Sequence, residues 1–565
     1  MGVGAKLVKL KADPVLRRWL WLRLLGRAVS PAPFTPHRPP YFRPPAAEPA
    51  RAPDLPALEA GMPQGSLTLP VPGGGVTVEA GRLDLFSRPY ADGEALSALH
   101  RFAWLPLMPD VDGAWVAALW QAWCEGYGHP QDGPAWEAYT AAERVINILD
   151  FACRRGLPGE RDATIAALAA HGPAMIERLE YYGEQGTCNH LANNGRGLYR
   201  LGLELGLADT ARLGLDILVE EAQRLFLPSG VLREASTHYH LLYLRNYVDC
   251  WLAARRHGRS EVGWLAALAQ RFWTVLPHFA LPGGMPLMGD ISPDSPPAFL
   301  AGLFPGAAME QGWTGLLSSD ERAALGHMRD GIQPADAGLL AVDGWLRGDF
   351  GRWSALWHGE PAGWRLPTGH GHEDLGAAEI HLDGIPLFVD SGRGAYGESG
   401  EAALYLAAAV HGTLQVDGHD PFPANKPYYD EPFRGAMAGA PPVLARTADG
   451  LELAHGGFMR LSGVGMVRRR HAFDQTSLLI EDTVEGKGRR RLTRRLVTPH
   501  AVRAEGSAVL IEAPNFAVRV SAEVPLACRP MKRWLAYGEA APAFAIEANC
   551  TVALPWRGAL RVEVL

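Results

Sequence analysis

Six cysteines are present but no CxxC pair, the charge balance has no basic excess, and no apolar run is long and uninterrupted. Without CxxC there is no thiolate zinc knuckle. Cys124, Cys153, Cys188, Cys250, Cys528 and Cys550 do not demand an oxidising compartment, and four of them fall in apolar helical patterns that predict buried free thiols. A net charge of −7 lacks the basic footprint that nucleic acid requires. It leaves room for an anionic polysaccharide, which a local Arg/His cleft can hold on an acidic protein. No stretch suffices to span a bilayer. Leu16 to Val29 is apolar but interrupted by Arg17, Arg18, Arg23 and Arg27. It lacks the unbroken core and small-residue cleavage site of a signal peptide. A basic amphipathic segment touching a membrane or another domain fits it better.

What is there is a soluble globular composition, 47% hydrophobic and 20% charged, over 565 residues. That length predicts two or three domains. Pro31, Pro33, Pro36, Pro39, Pro40, Pro44 and Pro45 mark an extended arm or linker. From about 95 to 335 the period is helical. Ala142, Val145, Ile146, Leu149 and Cys153 share one helix face, and Gly156 stands where a left-handed cap is expected. Leu213 and Ile217 belong to another helix, which Asp209 or Thr210 would cap. Further ends are expected near Gly183, Gly206, Gly258 and Gly283. This pattern predicts an antiparallel helical array or toroid, with an irregular all-α domain as the alternative. After about 338 the period falls to two. Ile380 to Val389 alternates around Asp383-Gly384, a hairpin signal. Ser477–Val484, Arg491–Val497, Val509–Glu512 and Ala517–Val524 continue as strands, so a β-sandwich is expected. The divisions are 1–56 (basic segment and Pro-rich arm), 57–337 (helical) and 338–565 (β).

Three short segments carry the chemistry. They are Cys188-Asn189-His190-Leu-Ala-Asn193, Arg233-Glu234-Ala-Ser-Thr-His238-Tyr239-His240, and Gly369-His370-Gly371-His372-Glu373-Asp374. An amide, a phenol and imidazoles can neutralise a carboxylate and move a proton from the carbon beside it, which is lyase chemistry on an acidic sugar. Asn189 can donate to such a carboxylate, or simply cap the helix that follows. Tyr239 opens an apolar helix, where core packing with a wet hydroxyl is the plain alternative. Arg233 and Glu234 can contact substrate, or form a surface ion pair of little worth. His370 sits between glycines that give its ring room to act as a general base. His370 and His372 alternate on an extended segment, so they share a face only if it bends. His372, Asp390 and His411 come from separate strands and make a plausible zinc site, structural His–Asp hydrogen bonds being the alternative.

These blocks resemble the heparinase II/III family of polysaccharide lyases, from about residue 97 onward. Leu99-His100-Arg101-Phe102-Ala-Trp104 and Trp136-Glu137-Ala-Tyr139 through Arg144-Val-Ile-Asn147 are similar to its early segments. The three blocks above, Asp383-Gly384-Ile-Pro386-Leu-Phe-Val-Asp390-Ser-Gly392, and His411-Gly-Thr413 with Val416-Asp417-Gly418 follow in the family's order. The resemblance implies a multidomain α+β chain, an N-terminal incomplete α/α toroid followed by a C-terminal antiparallel β-sandwich, with the cleft between them. It implies β-elimination at a uronic acid of an anionic polysaccharide. Asn189, His190, Tyr239 and His370 match catalytic positions. Arg233, Glu234 and Asn193 are expected at the substrate. His372, Asp390 and His411 match ligands for Zn2+, placed to fix loops near the cleft. Asn193 departs from a Glu in some members, and Gly412 from a frequent Asn. A homo-oligomer is compatible with the resemblance. The cell envelope or periplasm is the expected location, and the cytoplasm the alternative. Two other functions compete: a glycoside hydrolase using Glu234 and Asp374 as its carboxylates, and a non-catalytic glycan-binding protein of exopolysaccharide assembly.

Overall fold

A computed structural model describes residues 10, 13–28, 35–51, 55–184, 186–366, 368–426 and 428–565. Val29, Pro31 and Pro33 of the expected N-terminal arm lie outside the described residues. The principal helices are α1 (Pro14–Leu24), α2 (Gly93–Arg101), α3 (Gly113–Tyr127), α4 (Ala138–Arg155), α5 (Arg161–Glu177), α6 (His190–Glu204), α7 (Ala208–Leu225), α8 (Thr237–Arg256), α9 (Val262–Trp273), α10 (Ser319–Asp330) and α11 (Ala337–Val342). A hairpin of β1 (Ser66–Val71) and β2 (Gly74–Glu79) precedes α2 and packs Leu69 and Val78 into the first helical core. Helix α4 packs on α5 and α6, α6 on α7 and α8, and α8 on α9.

After the β1–β2 hairpin, strands resume at Trp345. Strands β3 (Trp345–Phe350), β4 (Trp353–His358), β5 (Ala378–Leu382) and β6 (Ile385–Phe388) form one four-stranded antiparallel sheet. The Asp383-Gly384 turn has both residues at positive φ, +49° and +79°, as a two-residue hairpin with native twist requires. The remaining strands are β7 (Leu414–Val416), β8 (Val443–Arg446), β9 (Gly450–His455), β10 (Val464–Phe473), β11 (Ser477–Gly486), β12 (Arg489–Thr498), β13 (Ala501–Glu505), β14 (Ala508–Glu512), β15 (Ala517–Ala522), β16 (Leu526–Ala536), β17 (Glu539–Ala553) and β18 (Trp556–Val564). They make an eight-stranded sheet, ordered β13-β14-β15-β18-β11-β10-β9-β8, and a four-stranded sheet, β16-β17-β12-β7. Inward residues of all three sheets, among them Trp353, Trp357, Ile480, Ile546 and Val562, share one sandwich-like core. The second helical core extends into Trp345 and Leu356 of the β half, so the two halves are joined by shared apolar packing.

The described part of the Pro-rich arm, 35–51, is extended as expected, but it is packed. Tyr41, Phe42, Leu55 and Leu58 lie on the first helical core. This explains two departures from the sequence reading. Helix α7 is not capped by Asp209 or Thr210. Glu48 of the arm accepts the Asp209 N–H (2.9 Å), while Asp209 accepts the Ala46 N–H (2.9 Å). Gly156 has φ +106° with extended ψ, not a left-handed cap. The arm passes against it, and a Cβ there would lie 2.9 Å from the Leu58 nitrogen. Gly206 and Gly258 do follow helix ends, at φ +65° and +60°, whereas Gly183 and Gly283 stand in loops beyond Glu177 and Phe279. All six thiols are free; of the four expected to be buried, Cys250 is, Cys124 and Cys188 are half-buried, and Cys153 is exposed near the end of α4.

Candidate active site

Three segments distant in sequence are knitted together by backbone hydrogen bonds. The His370 N–H donates to the Glu234 carbonyl (2.9 Å), the Asp290 N–H to the His370 carbonyl (2.8 Å), and the Thr237 N–H to the Met288 carbonyl (3.0 Å). They meet at Gly289, φ +80°, where a Cβ would sit 2.5 Å from the Ala235 oxygen and 2.8 Å from the His370 oxygen. Ala235 itself is held at φ +56°, a conformation that costs a non-glycine residue energy and persists only where neighbours enforce it. Gly371 also serves close approach, since its Cβ would meet the Ala235 Cβ at 2.9 Å.

This framework brings Asn189, Tyr239 and His370 together. Asn189 stands at the start of α6 without capping it: its backbone is already right-handed helical, and its side chain makes no cap bond. Instead the amide is clamped. Its Nδ2 donates to Glu234 Oε2 (2.7 Å) and to His370 Nε2 (2.7 Å), and its Oδ1 accepts from the Tyr243 hydroxyl (2.7 Å). A carboxylate can only accept, so Glu234 fixes which way the amide faces. The His370 Nδ1–H donates to Asp290 Oδ2 (3.1 Å), which leaves the Nε2 lone pair pointing at Asn189. The Tyr239 ring stacks on His370, and its hydroxyl lies 2.6 Å from that of Tyr396. Burial pushes the Tyr239 phenol well above its ordinary value, so it stands as a neutral O–H donor.

Sequence reasoning did not identify Asp290, Arg393, Tyr396, Tyr243 or Glu180. Asp290 is the hub. Its Oδ2 takes His370, its Oδ1 takes His372 Nε2 (3.0 Å), and Arg393 donates to Oδ1 (3.2 Å). Burial opposes its charge, but these partners hold its carboxyl far below the usual range. His370 and His372 thus converge on one carboxylate, from a segment that bends out of any strand. The signal in sequence was a Gly289-Asp290-Ile-Ser-Pro-Asp294 loop, polar yet set between apolar stretches.

Glu234 belongs to this cluster, whereas the side chains of His190, Arg233 and Asn193 make no hydrogen bond to it. His190 is 41% exposed in its side chain and bonds Glu180 through Nδ1 (2.8 Å). Burial lowers its proton affinity, but the Glu180 carboxylate outweighs that and raises it, while His190 in turn holds Glu180 below its ordinary value. Glu234 is buried and makes no ion pair with Arg233. Arg233 turns away to donate to the Glu184 and Thr187 carbonyls (3.1 and 3.2 Å), bracing the loop before Asn189, and so is not a surface ion-pair partner. Asn193, one turn into α6, is fully buried; its N–H donates to the Asn189 carbonyl (3.3 Å), but neither polar atom of its side chain has a partner. Asp374 is buried, its carboxyl pushed up to about 7 by burial and by Asp390.

The side chains of His372, Asp390 and His411 are buried, and their ligand atoms all lie within 4.8 Å of one another. His411 Nδ1 is 2.8 Å from Asp390 Oδ2, and its Nε2–H donates to the Tyr405 carbonyl (3.1 Å). His372 Nε2 is spent on Asp290, while its Nδ1 is buried without any partner. An orphaned imidazole nitrogen beside a His–Asp pair fits a metal ligand set, with the outer nitrogens anchored as second contacts usually are. The triad could hold a metal.

Residues 333–538 match the family described as heparinase II/III-like, C-terminal. The chain is similar in structure to heparinase III, with a TM-score of 0.62 and 16% identity over 85% of this chain and 79% of that one. A heparan sulfate lyase HepC mutant from Pedobacter heparinus is similar at a TM-score of 0.52 and 16% identity, over 85% and 78%. No curated protein sequence matches. Residues 333–538 are thus similar to a heparinase II/III-like C-terminal region, and the chain as a whole shares the fold of heparinase III.

Proposed function

We propose that this protein is a polysaccharide lyase that cleaves a uronic-acid-containing polymer by β-elimination. The observation that carries the reading is the meeting of the Asn189 amide, the Tyr239 phenol and the His370 imidazole, braced by Glu234, Tyr243 and Asp290. Heparinase III and heparan sulfate lyase share the fold.

The C5 proton of a uronate is weakly acidic while the neighbouring carboxylate keeps its charge. Both Asn189 amide hydrogens are engaged, one on Glu234 and one on His370. An incoming carboxylate takes the second, which frees His370 Nε2 as the base. The start of α6 adds its helix dipole, and His190 with its raised proton affinity adds positive charge. Each preorganised donor is worth about 3–4 kcal/mol as charge builds on the aci-carboxylate. Proton transfer from C5 to His370 contributes on the order of 10²–10⁴-fold. Tyr239, kept protonated by burial, donates to the departing O4 and leaves an unsaturated sugar.

Zn2+ is the metal that the ligand set His372, Asp390 and His411 suits best. Its chemistry here would be to fix the loops behind His370, since Asp290 joins His372 to the base. The test is incubation with a panel of uronate polymers while ultraviolet absorbance of the unsaturated product is followed. Absorbance should rise with at least one polymer for the wild type, and about 10²–10⁴-fold more slowly with Tyr239→Phe. A flat trace across the whole panel counts against the reading.

A further inference from the structure

We propose that α1 docks this protein on the surface of an anionic phospholipid bilayer. The inference is independent of the chemistry assigned to the cleft. Asp13 caps the helix by accepting the Leu16 N–H (2.9 Å), and Pro14 opens it. One face is committed to the fold: Val15 and Trp19 are buried among Trp364, Tyr429 and Phe433, with the Trp19 and Tyr428 ring centroids 4.7 Å apart. That packing fixes the opposite face outward. There Trp21 is 62% exposed, Leu24 81% and Leu25 50%.

Four arginines, Arg17, Arg18, Arg23 and Arg27, are exposed around these side chains, and no acidic residue occurs from Pro14 to Arg27. The protein as a whole carries −7, so this basic stretch runs against the overall balance. Guanidinium groups alone would suit any polyanion. A soluble glycan, however, offers Leu24 and Leu25 no apolar medium. A bilayer offers phosphates for the arginines and, a few ångströms deeper, an acyl boundary for Trp21, Leu24 and Leu25. Tryptophan favours that interface because one edge is apolar and the other polar. The helix lies on the surface and does not cross, as no helix among the described residues is long and apolar enough to span a membrane.

The experiment is cosedimentation of the full chain with vesicles of phosphatidylglycerol and phosphatidylcholine, against phosphatidylcholine alone, at low and high salt. Arginine charge near an anionic surface predicts partitioning on the order of 100-fold stronger on the anionic vesicles, weakening as salt rises. Combined Trp21→Ser, Leu24→Ser and Leu25→Ser should lower it at least about tenfold. Unfolding midpoints should not move, because these side chains are exposed. Equal partitioning on both vesicle types, or undiminished binding by the triple variant, overturns the proposal. It is also overturned if sedimentation velocity shows that the outward face joins two copies and the vesicles pellet nothing. Arginine-dependent retention on a soluble polyuronate that survives the triple substitution, without vesicle binding, would assign the surface to a glycan instead.

Discussion

The Tyr239 ring lies nearly flat on the His370 imidazole, with centroids 3.4 Å apart and planes 15° from parallel. One residue comes from the helical half and the other from the β half, so the stack presents an acid and a base to one space. Burial keeps the phenol protonated. Tyr239→Phe retains the stack and removes only the hydroxyl. It should lower kcat by about 10²–10⁴-fold with KM little changed. Steady-state kinetics on any active polymer checks this, and an equal loss through KM alone would assign Tyr239 to binding.

Asn189→Ala removes the donor to the substrate carboxylate. A loss of about 10²–10³-fold in kcat is expected, the scale of one oxyanion-stabilising donor. Asn189→Asp should be worse, because it puts a carboxylate against Glu234 and against the incoming uronate. Kinetics of the two variants side by side separate the amide's chemistry from its packing.

Asp290→Ala tests the hub. Removal leaves Arg393 buried without its carboxylate and frees both His370 and His372. Breaking a buried ion pair on one side costs about 3–5 kcal/mol. The denaturant midpoint should fall accordingly, and activity should fall even at temperatures where the variant is folded.

The His190–Glu180 pair predicts a pH window. His190 has its folded value raised, so its stabilising contribution is complete below its unfolded value and is lost as pH rises through the folded one. Glu180 has its folded value lowered, so its share is present above its unfolded value and is lost as pH falls through the folded one. Wild type should therefore exceed Glu180→Gln in thermal midpoint only between those limits. The pair is partly exposed, so the difference should stay under about 1 kcal/mol. Midpoints measured across the pH range for both proteins check the shape.

Metal loading is tested by chelation. If His372, Asp390 and His411 hold zinc, dialysis against a chelator should lower the unfolding temperature and zinc should restore it, whereas His411→Ala should show no response.

Local signals were legible in the sequence and long-range ones were not. The Asp383-Gly384 hairpin rests on two residues' backbone preferences, and the structure places it where alternation predicted. The longer helical and alternating periods likewise match a mainly helical N-terminal region followed by antiparallel sheets. The α7 cap could not be read, because its acceptor, Glu48, is supplied by an arm about 160 residues earlier. Asp290 was hidden for the same reason: its role exists only once Ala235, Gly289 and His370 are brought into contact. Arg233 and Asn193 looked like site residues because they flank Glu234 and Asn189 in sequence. Helix geometry and the loop carbonyls of Glu184 and Thr187 turn them elsewhere.

Elimination and hydrolysis differ in whether water enters the product. Digestion of an active uronate polymer in heavy-oxygen water, followed by mass spectrometry, distinguishes them directly. Unsaturated ends carrying no solvent oxygen are predicted. Saturated ends with one heavy oxygen per cleavage would contradict proton abstraction by His370 and assign the site to a hydrolase.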